Sequence, residues 1–238
     1  MICRLCLKQK PLCNSHVIPE FFYKMMYDEK RRMIKLSTVP GERNLYRQKG
    51  IYEKLLCNDC EQIINEFEKH VKHVFYDEMH HQETGNTNEI KLIDLDYDNF
   101  KLFQLSLLWR ASIASNPFFE SVKLGKHEEI IRKMIIDRNP GSVNEYGCII
   151  IGLYTKEAGT FDMIIKPGKG RVEGHYAYRF VLGSSLWLYL VSKHTNLFER
   201  KKYFLQKDGT MILKFFPAEK APFILKMIDN LRKTGKLA

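Results

Sequence analysis

No stretch of this chain is both long and free of charge: the longest apolar run, Phe100 to Phe119, is interrupted by Lys101, Gln104 and Arg110. A membrane span needs about 20 mainly apolar residues, so this run predicts a buried helix and no membrane partner. No charged leader followed by an apolar segment opens the sequence, so the expectation is no secretory signal and a cytoplasmic location. Internal repeats and low-complexity tracts are missing, and so is a Gly-x-Ser-x-Gly elbow, which sets aside hydrolases built on that strained turn. Gly168, Gly170 and Gly174 fit neither a dinucleotide nor a P-loop spacing and read as hairpin-turn residues. What is present is a 238-residue chain, 45% hydrophobic and 28% charged, long enough for one large domain or two small ones.

Charge of one sign is locally scarce. Residues 1–50 balance to +7, residues 51–83 to −5 and residues 141–238 to +8, within a total of +10. A basic segment beside an acidic one suits a phosphate-binding face next to a cation site.

Pro19 fits the first turn of a helix running to about Met33. Ile34–Ser37 and Asn44–Arg47 then flank Val39-Pro40-Gly41-Glu42 as a basic hairpin. A long helix is expected from Asp59 to about His80, its apolar stripe formed by Ile63, Ile64, Phe67, Val71, Val74 and Phe75. The polar segment Glu83 to Asn88 reads as a linker, which would divide the chain into residues 1–83 and 90–238. Beyond it Asp98 is expected to cap a helix from Asn99 to about Ser115, and Gly125 to Asp137 forms another. Strands follow at Cys148–Tyr154, Phe161–Ile165, Tyr176–Leu182, Leu186–Val191 and Met211–Phe216, with a last helix from about Ala218 to Lys233. The fold class is α+β, with a small antiparallel sheet packed on helices.

Two Cys-x-x-Cys pairs, Cys3/Cys6 and Cys57/Cys60, carry the strongest chemical signal. Each places two thiolates on one tight turn, and together they supply the four ligands of a closed structural Zn²⁺ site. A redox role would need a thioredoxin-like strand–turn–helix context, which neither pair has. Cys13 is a less regular rival, Cys148 sits in a strand pattern, and His70, His73, His80 and His81 gather at a helix end that is most simply solvated. Trp109-Arg110 lies in the buried helix, where the arginine would need an acidic or carbonyl partner.

Between the pairs lies Ser15-His16-Val17-Ile18-Pro19, and the second pair runs from Leu56 straight into Glu61. Here the chain resembles the HNH, or ββα-metal, nuclease superfamily in its cysteine-rich form on a treble-clef zinc finger. Such proteins read Cys-x-x-Cys, then Asp-His-Ile-x-Pro, then Leu-Cys-x-x-Cys followed at once by His or Asn. The resemblance implies that His16 is the general base, that Glu61 and Asn65 bind a catalytic Mg²⁺ or Mn²⁺, and that Zn²⁺ is structural. Glu61 and Asn65 stand one helical turn apart and offer oxygen ligands, with Ser15 and Glu68 as further candidates. Two departures stand out: Ser15 replaces the family's aspartate, and no asparagine occupies Tyr52-Glu53-Lys54 to orient the histidine. A wider resemblance, to HNH-type bacterial proteins with Ser-His-Ile-Ile-Pro and a Leu-Phe-x-Leu-Ser-x-Leu-Trp-Arg-Ala-Ser segment like Leu102 to Ser112, implies a setting in bacterial anti-phage defence.

The function expected is a divalent-metal-dependent endonuclease, with DNA favoured over RNA through the family resemblance alone. Lys30, Arg31, Arg32, Lys35, Arg43 and Arg47 would lie along the phosphates. The alternative is a catalytically inactive, zinc-stabilised module that binds nucleic acid or protein; a third option has residues 90–238 dock a regulatory protein partner that controls cutting.

Overall fold

The computed structural model describes residues 1–37, 39–157, 159–160, 162–193 and 199–237; Phe161, where the sequence places the start of a strand, lies outside them. The amino-terminal cysteine pair is a tight knuckle in which Leu7 N–H donates to the Cys3 carbonyl, with Leu7 in the left-handed region at φ 60°. From there β1 (Asn14–His16) pairs antiparallel with β4 (Tyr52–Lys54), setting Ser15 opposite Glu53 and His16 opposite Tyr52. The chain leaving β4 runs through the second cysteine pair into α2 (Asn58–Lys72), which continues as a π-helical turn over His73–Asp77. Its expected stripe faces inward, with Ile64, Phe67, Val71 and Val74 buried.

The helix after Pro19 is much shorter than the apolar spacing predicts. It covers Phe21–Lys24 only (α1), with three successive buried rings, Phe21, Phe22 and Tyr23. Asp28 stops any continuation: its Oδ1 accepts from the backbone N–H groups of Lys30 and Arg32, and Arg31 turns to φ 54°. Short acidic side chains compete with helical backbone bonds in this way. The basic hairpin follows as expected, β2 (Met33–Lys35) against β3 (Leu45–Arg47). Gly50 then has to be glycine, because a Cβ would meet the Tyr23 ring at 2.3 Å.

Two strands, β5 (His81–Glu83) and β6 (Glu89–Leu92), form a hairpin whose turn is the polar 84–88 segment. The central helix α3 (Tyr97–Ile113) starts two residues earlier than predicted, since Asp96 and not Asp98 caps it by accepting from Asn99 N–H. It is buried all round and packs on α2 and on α4 (Lys126–Ile136).

The remaining strands are β7 (Cys148–Thr155), β8 (Gly159–Thr160), β9 (Met163–Val172), β10 (His175–Gly183), β11 (Ser185–Leu190) and β12 (Met211–Pro217), followed by α5 (Pro222–Lys233). The sheet is larger than the small antiparallel one expected. Among the described residues it has eight strands, in the order β5-β6-β12-β7-β11-β10-β9 with β8 on β7, and the β12–β7 pairing is parallel. The period-two alternation explains its two faces. Phe180 and Leu182 face the main core with α3, whereas Val181 turns to the opposite side with Leu153 and meets Ala221 and Ile224 at α5. One core cluster runs from Cys3 and Leu5 through α2 and α3 to Trp187 and Leu213. The architecture is mixed α+β, and among the described residues no helix is long and apolar enough to cross a membrane.

Candidate metal centre and the cavity at His16

Cys3, Cys6, Cys57 and Cys60 converge as the spacing predicts, their Sγ atoms all within 4.8 Å of one another. Cys3, Cys57 and Cys60 are buried, and Cys57 N–H donates to Cys3 Sγ at 3.3 Å. Burial and the crowding of Cys57, Cys3 and Cys6 push the Cys60 thiol well above its ordinary range, a penalty that a bound dication would reverse by neutralising the thiolates. The donor set fits a soft, tetrahedral metal such as zinc. Cys13 stands outside the cluster, and Cys148 is a buried strand residue whose thiol burial likewise pushes up. The knuckle is braced from α4, whose Arg132 donates to the Leu5 carbonyl while paired with Glu129.

Ser15 serves this centre in a way that explains why it is not an aspartate. It is fully buried, and its Oγ accepts from Leu56 N–H at 3.1 Å, tying β1 to the turn that presents Cys57. A carboxylate there would be a buried charge paired only with an amide.

His16 points to the other side of β1, into a cavity of about 270 Å³ lined by Asn14, His16, Glu20, Lys49 and Tyr52. Its Nε2 lies 3.2 Å from Glu20 Oε2, and its ring meets the Tyr52 ring edge-on at 5.9 Å. The backbone of His16 is fixed from behind: its carbonyl accepts from Arg110 Nη1 at 2.7 Å. The same Nη1 lies 2.7 Å from Glu68 Oε1. Arg110, almost wholly buried, therefore has a carbonyl partner in His16 and an acidic neighbour in Glu68, whose enclosed Oε1 accepts no hydrogen bond.

Glu61 and Asn65 do not line the cavity at His16. Glu61 is half-buried in the first turn of α2 with Oε1 enclosed and accepting no hydrogen bond, and Asn65 is exposed. Glu53, in the stretch where the family often has an orienting asparagine, instead accepts from Ser115 and Asn116 and closes the end of α3. Of the basic residues, Lys30, Arg31, Lys35, Arg43 and Arg47 are exposed around the β2–β3 hairpin. Arg32 is paired with Asp28 and lies over the Tyr46 ring at 4.4 Å. At the far end of α2, His70 accepts from Asp96 N–H, and His80 sits between Glu78 and Asp94, which hold its pKa above the ordinary value. Among the described residues no other group of three or more His, Cys, Asp or Glu converges as the four cysteines do.

No family model, curated protein or solved structure matches the chain. Its function has to be read from the geometry of the site, and that geometry adds Glu20 and Lys49 to the residues around His16. The only sequence signal for Glu20 is its position four residues after the histidine, a spacing that a helix from Pro19 onward would equally explain.

Proposed function

We propose that this protein is a divalent-metal-dependent endonuclease that hydrolyses DNA phosphodiester bonds in the cavity at His16. The observation that carries the reading is the order β1, β4, α2 around the four cysteines. The strand bearing His16 pairs with the strand that leads into Cys57, which stands at the start of the helix that carries Cys60 in its first turn. This is the order a ββα-metal site on a treble-clef zinc finger requires, and zinc would act there as the pin that holds strand to helix. Hydrolysis joins a water oxygen to phosphorus as the bond to the leaving strand breaks, and the proton lost by water returns to the leaving oxygen. The cavity supplies an imidazole, a carboxylate and the Lys49 ammonium for water activation and phosphate binding. The exposed basic hairpin would track the adjoining phosphates.

A cavity lining that does not include Glu61 or Asn65 favours a second reading, a zinc-stabilised DNA-binding module without activity. Nicking of supercoiled plasmid with Mg²⁺ or Mn²⁺ decides between them. Wild type is expected to nick, and His16→Ala at equal zinc content to lose about 100-fold or more of the rate. Binding of DNA without nicking by wild type, or equal nicking by the variant, would sink the nuclease assignment.

A further inference from the structure

Glu20 is a half-exposed carboxylate whose two oxygens differ in their surroundings. Its Oε1 accepts from Tyr27 Oη at 2.8 Å. Its Oε2 is enclosed and accepts no hydrogen bond, although His16 Nε2 stands only 3.2 Å away. The imidazole nitrogen is therefore not aimed along the line to that oxygen. A hydrogen bond between the two would align the N–H with the acceptor. Two ligands of one cation would not: an ion about 2.1 Å from each, subtending a right angle, sets the donors roughly 3 Å apart, with the nitrogen lone pair directed beside the oxygen. Asn14 lies on the same face of β1 as His16 and lines the same cavity, so its amide oxygen is a third candidate donor. The cavity, about 270 Å³, has room for the waters that a hard cation retains.

We infer that His16 Nε2 and Glu20 Oε2 together hold a divalent cation, Mg²⁺ or Mn²⁺, with Asn14 beside them and Tyr27 fixing Glu20 from behind. The inference deepens the nuclease reading and rests on it for the chemistry, though not for the binding. His16 is then a ligand, and the ion takes over the water activation that the family resemblance gives to the imidazole. Lys49, also in the cavity, would meet the substrate phosphate.

The test is a titration of the full-length, zinc-loaded protein with Mn²⁺ alone, followed by electron paramagnetic resonance. Wild type is expected to bind one Mn²⁺ at submillimolar concentration. His16→Ala and Glu20→Gln are each expected to weaken it by about tenfold or more, and Tyr27→Phe by less, with zinc content and thermal midpoint retained. An affinity that His16→Ala or Glu20→Gln leaves unchanged overturns the inference, as does a wild type that binds no Mn²⁺ at millimolar concentration. Binding that survives Glu20→Gln and is lost in Glu61→Gln also overturns it, in favour of the helix ligands. Plasmid nicking separates this inference from the function it rests on. A protein that binds Mn²⁺ through Glu20 without nicking keeps the site and loses the nuclease reading, and nicking with Glu20-independent Mn²⁺ affinity does the reverse.

Discussion

Single side chains do the joining in this protein. Arg110 reaches out of the central helix to hold the backbone of His16 and the carboxylate of Glu68 through one nitrogen. Removing one member of a buried pair costs far more than removing both, because the survivor keeps an uncompensated charge. Arg110→Met is therefore expected to lower stability by about 3–5 kcal/mol. The double variant with Glu68→Met should recover most of that loss, as urea unfolding will read. Lys101 is the other buried cation. It donates to the Tyr146 carbonyl at 2.8 Å, and burial lowers its pKa from 10.5 to about 8. At pH 7 the group is charged in both states, and the buried ammonium costs on the order of 3 kcal/mol relative to the neutral amine. Between pH 8 and 10.5 the unfolded chain binds this proton and the folded chain does not, so the Lys101 contribution to stability rises across that window. The stability difference between Lys101→Met and wild type should accordingly shift towards wild type as pH rises from about 8 to 10.5. Unfolding curves at several pH values will show it; a difference that does not move with pH would mean that Lys101 is not desolvated.

The elements divide into those that local chemistry determines and those that need the whole chain. The four-cysteine centre, α2 and the β2–β3 hairpin were legible because thiolate spacing, helical periodicity and turn residues are local signals. The helix after Pro19 misled for an equally local reason, the Asp28 carboxylate that captures two backbone N–H groups ahead of the helix. Five strands of the sheet were legible, but β5, β6, β8 and the strand order were not. The placement of β12 between β6 and β7 pairs Met211 with Leu92 and Lys214 with Ile151, far apart in sequence, and no periodicity encodes that. The site was half legible. His16 announced itself by motif, whereas Glu20 and Lys49 became neighbours only when α1 ended early and the chain returned through Gly50 under the Tyr23 ring. At this scale the hairpin makes its own prediction. On the nuclease reading proposed above, neutralising Arg31, Arg43 and Arg47 together should weaken DNA binding and flatten its salt dependence by about 0.9 in slope for each phosphate that no longer meets a cation. Filter binding across a salt series measures it, and an unchanged slope would take the hairpin off the DNA.

For the molecule as a whole, the amino-terminal segment and the sheet share one interior. Phe21 stacks with Phe103 at 6.0 Å, and Phe22 meets Trp187 edge-on at 5.9 Å. The metal is expected to contribute on the order of 10 kcal/mol to ordering the lobe that carries these rings. Stripping it with a chelator should lower the thermal midpoint of the entire chain in one transition, not melt the first eighty residues separately. Circular dichroism with elemental analysis checks this, and two separate transitions would contradict it.

Trp187 sits where these dependences meet. Its indole touches Phe22 from the amino-terminal lobe, Phe75 from the end of α2, and Phe100 and Phe103 from the central helix. It is wholly enclosed, and so is Trp109, the chain's second tryptophan. The protein thus carries a built-in optical gauge. Replacing Trp109 with phenylalanine would leave one emitter, whose red shift reports in real time the opening of this shared core when the chain unfolds after metal loss.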